Sequence, residues 1–227
     1  MEYASIVIAN IMSIFILVSN GIVLLTIFKT PSLHTSTNII VGNLALVDCI
    51  VGIANFVQTG NAFTEDKSTW ELLCRFSSIL DLIGTGGNSL FIFFLALDRY
   101  LLITYFSKYH TLITLKRTKI LACISWINIL VQTVFSCTYR FNMRFGDAEC
   151  SWLRYTDRNI LVFSLMPQLF LMTGLMLIFY SRIIHFIYSK RKKLVTNMSR
   201  TNVLSFLTKS SAQNRSTRIM ASVVGIY

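Results

Sequence analysis

The chain is 227 residues long, 54% hydrophobic and only 14% charged, with 21 Lys and Arg against 10 Asp and Glu. Soluble domains carry about 25% charged residues, so this composition excludes an ordinary soluble domain and points to a polytopic membrane protein. A net charge of +11 would suit nucleic acid, but the cations gather between apolar runs on one side of the membrane, which is the pattern of an inner face, and no nucleic-acid partner is expected.

A helix of about 20 apolar residues crosses a hydrocarbon core roughly 30 Å thick. Five such spans are expected, at about 4–28, 38–63, 76–106, 120–139 and 159–187, and a sixth apolar run, 219–227, stops at the last residue. The first run has only Glu2 as a charge before Lys29. It lacks the basic start of a signal peptide and is too long for one, so it reads as a retained span with its N-terminus outside. On that topology the inner loops hold 14 Lys and Arg and the outer side 6, with Arg99 inside the third span.

The second span carries Asp48 and the third carries Asp81, Asn88, Asp98 and Arg99. At about 100° per residue, Asp81, Asn88 and Arg99 fall on one stripe, with Asp81 in the outer third, Asn88 near the middle and Arg99 at the inner end. Charges in a span cost about 2.5–3.5 kcal/mol on insertion scales and mark inward faces. Taken singly, each has a plainer reading: Asp81 reaching interfacial water, Asn88 as interhelical glue, Asp98–Arg99 as an anchor in the headgroups.

Cys74 and Cys150 lie on the outer, oxidising side, where a bridge is open to them; Cys49 and Cys123 read as apolar packing residues. Residues 189–218 form a basic, Ser/Thr-rich inner loop, either a solvated segment or a contact surface for an intracellular partner. The sequons at Asn197 and Asn214 face the cytosol and are expected to stay unmodified. No metal-spaced His/Cys cluster, phosphate loop or nucleophile–base pair occurs, so an enzyme is not expected.

The span residues do not stand alone. Asp98-Arg99-Tyr100 ends the third span, Asn43-Leu44-Ala45-Leu46-Val47-Asp48 lies in the second, Asn20 in the first and Trp126 in the fourth. Cys74 stands 25 residues before Arg99, and the fifth span ends Tyr180-Ser181-Arg182-Ile183. In this order the set resembles the rhodopsin-like (class A) G-protein-coupled receptors over essentially the whole chain. The resemblance implies an all-α, incomplete seven-helix bundle in a single domain, 1–227, with five complete transmembrane helices and the start of a sixth, in the plasma membrane with its N-terminus extracellular.

It further implies roles. Asp98, Arg99 and Tyr100 look like the inner switch that meets a heterotrimeric G protein through the inner loops, and Tyr180 like the fifth-helix tyrosine that rearranges on activation. Asp48, with Asn20 and Asn88, resembles the mid-membrane polar site that holds a sodium ion in many relatives; no other cofactor is expected. Cys74 and Cys150 match the family's outer disulfide. Asp81 matches the acid that pairs with a ligand ammonium in aminergic receptors, with Ser164 offering a hydroxyl, so the extracellular ligand is expected to be a small cationic amine, with a peptide or other small molecule as the alternative.

Two departures bear on these roles. Met172 stands where the family's fifth-helix proline falls when Tyr180 is aligned; aligning on Pro167 instead puts Asn159 and Phe163, not Ser164, in the pocket. The aromatic-Trp-Pro and Asn-Pro-x-x-Tyr motifs of the last two helices are absent, so a receptor fragment that does not signal by itself is expected. No Asp or Glu follows Asp157, which leaves Asp98 to hold Arg99 and implies raised basal activity in the parent receptor. The rival readings are a non-signalling truncated receptor that retains full-length relatives, and a transporter or channel fragment with Asp48, Asp81 and Asn88 on an ion path, which would need inverted repeats or broken helices that the sequence does not display.

Overall fold

The structure, a computed structural model, describes residues 2–61, 63–138 and 166–198. Six helices are described: α1 (Glu2–Lys29), α2 (Ser36–Asn61), α3 (Lys67–Thr104), the short α4 (Tyr109–Leu112), α5 (Leu115–Thr138) and α6 (Met166–Met198). Five of them, all but α4, are long and apolar enough to cross a membrane, and no strand occurs among the described residues. The first four expected spans fall on α1, α2, α3 and α5. The apolar run 219–227 and residues 159–165 lie outside the described residues. The chain divides into two compact units, Met1–Tyr180 and Ser181–Tyr227; the described part of the second is the continuing helix of α6.

The helix ends are set by polar side chains between the apolar runs. The Asp66 carboxylate accepts the Thr69 amide at 2.8 Å and caps α3, which therefore starts nine residues before the apolar run at 76. That hydrogen bond also holds the Asp66 carboxyl below its ordinary range, so the cap is intact at neutral pH and weakens as pH falls through the carboxylate range. Thr35 Oγ1 accepts the Asn38 amide at 3.3 Å at the start of α2, and Thr114 Oγ1 accepts the Arg117 amide at 3.4 Å at the start of α5. Pro31 opens a 3₁₀ turn just after α1, where its missing N–H is not needed. Arg117 donates to the carbonyls of Thr111 and Leu112, both at 3.0 Å, satisfying the last turn of α4. Inside the spans, Ser13, Thr26, Ser125 and Thr133 turn their hydroxyls back onto carbonyls four residues earlier, as an apolar surrounding requires of them.

The core lies between α2, α3 and α5. Val47, Leu90, Phe91 and Ile129 are buried together, with Leu44, Ile83, Phe94, Ala122, Trp126 and Met172 around them. Small residues let α2 and α3 come close. A Cβ at Gly84 would overlap Val51 Cγ2, and one at Gly87 would sit 2.7 and 2.9 Å from the two methyls of Val47, which is fully buried. On the other face of α2, a Cβ at Gly52 would sit 2.9 Å from Leu17 of α1. Ile11, Phe15, Val18 and Ile22 of α1 remain exposed, as suits a lipid-facing helix.

Valine is stiff at χ1, and both methyls and the Cβ of Val47 already crowd the place of a side chain at Gly87. Gly87→Leu is expected to destabilise the chain by at least about 1–3 kcal/mol, read as a lower midpoint of thermal unfolding in detergent. Gly174→Ala, where nothing lies within 4 Å of the added carbon, should leave the midpoint unchanged or raise it. Equal effects at the two positions would show that the α2–α3 approach is not tight.

Candidate functional site

The polar residues singled out in the sequence are strung along α3, which runs unbroken for 38 residues. Asp81, Asn88 and Arg99 therefore keep the helical spacing that puts them on one stripe. They meet different surroundings.

Asp81 is part-buried, and among the described residues no hydrogen bond reaches its carboxylate; the nearby Thr85 hydroxyl donates instead to the Asp81 backbone carbonyl at 2.9 Å. Ser164 and Cys150 lie outside the described residues, as do Asn159 and Phe163. Cys74 is fully buried and disulfide-bonded.

One stretch further along, the Asn88 side-chain amide interacts with the Asp48 carboxylate of α2. Asn88 Oδ1 is buried and has no partner, so the pair leaves one amide oxygen unpaired beside a carboxylate. Asn20 is turned elsewhere: its Nδ2 donates to the Ile16 carbonyl of its own helix at 3.0 Å. Beside this pair, Trp126 Nε1 donates to Asn43 Oδ1 at 2.8 Å and ties α5 to α2, while its ring packs at 6.0 Å from Phe91.

At the last turns of α3 the structure corrects the expectation that Asp98 holds Arg99. Asp98 is 1% exposed, the most buried charge in the described bundle, while Arg99 is only part-buried. Both carboxylate oxygens of Asp98 are taken by hydroxyls: Tyr109 donates to Oδ1 at 2.6 Å and Thr37 to Oδ2 at 2.9 Å, and the two hydroxyl oxygens lie 3.3 Å apart. Among the described residues no carboxylate pairs with Arg99. A buried carboxylate needs donors more than it needs a particular cation, and two hydroxyls fixed on α4 and α2 supply them. The Tyr109 phenol is 7% exposed; burial, then the hydrogen bond to Asp98, push its ionisation above the ordinary tyrosine range. Its contribution is full below that range and is lost as pH rises through it.

Tyr100 stacks on Phe179 of α6 at 5.2 Å and 17°, and meets Tyr105 edge-on at 6.3 Å. Phe179 also packs on Phe93 at 5.8 Å, so the aromatic next to Tyr180, rather than Tyr180 itself, makes the ring contacts. Gln132 of α5 and Gln168 of α6 hydrogen-bond to one another. Of the cysteines expected to pack, Cys49 is part-buried but Cys123 is exposed on α5.

Sequence reasoning missed Thr37, Tyr109, Gln132 and Gln168. The available signal for Tyr109 was a tyrosine eleven residues after Asp98, in a loop weighed only for its charge.

The family described as 7 transmembrane receptor (rhodopsin family) matches residues 19–227. Among curated relatives, the dog 5-hydroxytryptamine receptor 1D is 27% identical over 168 residues, 73% of this chain and 44% of its own length. The human olfactory receptor 2AG1 is 28% identical over 143 residues, 58% of this chain and 43% of its own. The human 5-hydroxytryptamine receptor 1B is 29% identical over 110 residues, 48% of this chain and 28% of its own. The matches thus span less than half the length of each of these relatives.

The hydroxyl pair on Asp98 has a measurable consequence. Tyr109→Phe leaves a buried carboxylate oxygen without its donor and should cost about 1–3 kcal/mol; Thr37→Val should also destabilise. Because both act on one carboxylate, the double variant should lose less or more than the sum by at least about 0.5 kcal/mol. Additive losses in chemical unfolding would separate Tyr109 and Thr37 into independent contacts.

Proposed function

Because the chain belongs to the rhodopsin family of seven-transmembrane receptors, we propose that it supplies the ligand-facing and G-protein-facing parts of helices one to five of a receptor for an extracellular small molecule. Its N-terminus lies outside the plasma membrane on this reading, and the end of α3 bearing Asp98 and Arg99 faces the cytosol, following the Lys and Arg bias. The ligand is a small cationic amine. The observation that carries this is Asp81, a carboxylate part-buried in an apolar bundle with no described donor. A protonated amine provides both the missing charge and a charge-assisted hydrogen bond, and the 5-hydroxytryptamine receptors among the relatives favour that ligand class. Ser164 is the proposed second contact, and Cys74–Cys150 the bridge that holds the outer loop over the site. The relatives are receptors by name, and the proposed output is a heterotrimeric G protein reached through Arg99, Tyr100 and Tyr180. With no described carboxylate on Arg99, the arginine is left available to a partner, in keeping with raised basal activity.

A ligand of another class, bound without the Asp81 carboxylate, is the second reading; the olfactory receptor among the relatives, at the same level of identity, favours it.

The Asp48–Asn88 pair is proposed to bind sodium. A carboxylate and an amide oxygen without a partner are the hard oxygen donors such a cation takes. With its amide nitrogen spent on Ile16, Asn20 contributes at most its own amide oxygen.

Two measurements test these assignments. Tritiated 5-hydroxytryptamine should bind membranes containing the chain, and Asp81→Asn should weaken binding about 10- to 100-fold, the range for a hydrogen bond to a charged group. Equal binding by both forms removes the amine reading and promotes the second. Sodium chloride, compared with choline chloride at equal ionic strength, should raise the thermal midpoint of the wild-type chain but not of Asp48→Asn; a matched response in both would remove the cation from this site.

A further inference from the structure

The residues of α6 beyond Ser181 carry charge that neither the ligand site nor the Asp98 network uses. α6 has 33 residues, about 50 Å of helix at 1.5 Å per residue, against a hydrocarbon core of roughly 30 Å. Its mainly apolar run ends at Tyr188, and the helix goes on to Met198, past the core and through the headgroup layer. There it carries Lys190-Arg191-Lys192-Lys193 in succession, and Lys190, Arg191 and Lys192 are exposed.

The placement is not that of a one-sided solvated face. At about 100° per residue, Lys190, Arg191 and Lys192 fan through about 200° of the helix circumference within about 3 Å of rise. Arg182, eight residues earlier and also exposed, falls in the remaining gap. Aromatics sit at the same level: the Lys190 ammonium lies 5.5 Å from the centre of the Phe186 ring, and Tyr188 is 69% exposed, as interfacial aromatics are. The charge is also unevenly spent. Nine of the 14 cations assigned to inner loops follow Ser181, whereas the first inner loop has Lys29 alone, and not one Asp or Glu occurs from 158 to 227 to neutralise them. Orientation of the bundle needs a bias of charge, but not this concentration of it at one depth.

We infer that the cationic collar of α6 at Lys190–Lys193 is a binding site for a polyphosphorylated inositol lipid of the inner leaflet. Several cations within one turn match a headgroup that concentrates several negative charges at one depth, better than they match singly charged lipids spread through the leaflet. Each basic side chain at the surface strengthens such attachment roughly five-fold. The site fixes how far α6 projects from the membrane and keeps its basic end charge-compensated.

The test is native mass spectrometry of the full chain released from mixed micelles containing phosphatidylinositol 4,5-bisphosphate, or phosphatidylserine at equal total charge. At least one inositol lipid should be retained, with retention of phosphatidylserine at least about tenfold weaker. A variant with Lys190, Arg191, Lys192 and Lys193 all changed to Gln should lose retention at least about tenfold, while its thermal midpoint stays that of wild type. Equal retention of both lipids, or full retention by the Gln variant, overturns the inference. Displacement of the lipid by equimolar soluble inositol trisphosphate would assign the site to free phosphate instead. Loss of heterotrimeric G-protein binding in the variant with lipid retention intact would assign the collar to a protein partner. None of these readouts needs an amine or Asp81, so failure here leaves the receptor reading untouched, and failure of that reading leaves this one.

Discussion

The close antiparallel approach of α2 and α3 sets the position of nearly every polar group in the bundle. Gly87 faces Val47 and Gly84 faces Val51, so a step along one helix is matched by an equal step back along the other. Asp48 and Asn88 each follow, on their own helix, the member of the Val47–Gly87 contact by one residue, and they meet beside it. Thr37, ten residues before Val47, and Asp98, eleven residues after Gly87, stand within one residue of the same register, and the Thr37 hydroxyl bonds the carboxylate. Two glycines thus fix by packing what the polar groups need by chemistry. A bundle with larger residues at these positions would hold α2 and α3 further apart and leave the carboxylates of Asp48 and Asp98 short of donors in an apolar medium.

The spans and the stripe of α3 were legible because each rests on a local property. Apolar length gives a span, and an unbroken helix gives a stripe once its period is known. The helix boundaries were less so: α3 begins at Lys67, just after Asp66, whose capping carboxylate outweighs the polar composition of the first turns. What composition and period do not carry is who meets whom. Asp98 and Arg99 are adjacent, and adjacency suggested a pair. On a helix, neighbours in sequence point about 100° apart, and the carboxylate that turns inward finds Tyr109 and Thr37, one from the short α4 and one from the first turn of α2. Asn20 likewise spends its amide nitrogen locally, on the Ile16 carbonyl one turn back.

The two ends of α3 are built on opposite terms. At Asp81 a carboxylate stands with no described donor, and such a group gains by taking a cation from outside. At Asp98 the carboxylate is already satisfied, and it is the cation, Arg99, that has no carboxylate among the described residues. On the proposed reading, one end of the helix offers a negative charge to a ligand and the other a positive charge to a partner, with Asp48–Asn88 between them. On the proposed reading the two sites are joined by a single continuous helix rather than by a relay of separate elements.

The Asp98 network also decides which structural change is cheap. Pulling Tyr109 away exposes or orphans a carboxylate and costs about 1–3 kcal/mol, so α4 stays docked while that bond lasts. Moving Arg99 breaks no described ion pair. Ring contacts, not charges, hold its neighbour: Tyr100 lies flat on Phe179, and stacking of this kind is worth about 0.5–1.5 kcal/mol beyond burial and survives sliding better than a bidentate salt bridge does. A shift of the Phe179 turn of α6 past α3 would therefore spend little until it disturbed the hydroxyl pair on Asp98. The rigid part of this end of the bundle is the α2–α3–α4 corner, and the compliant part is the aromatic contact between Tyr100 and Phe179.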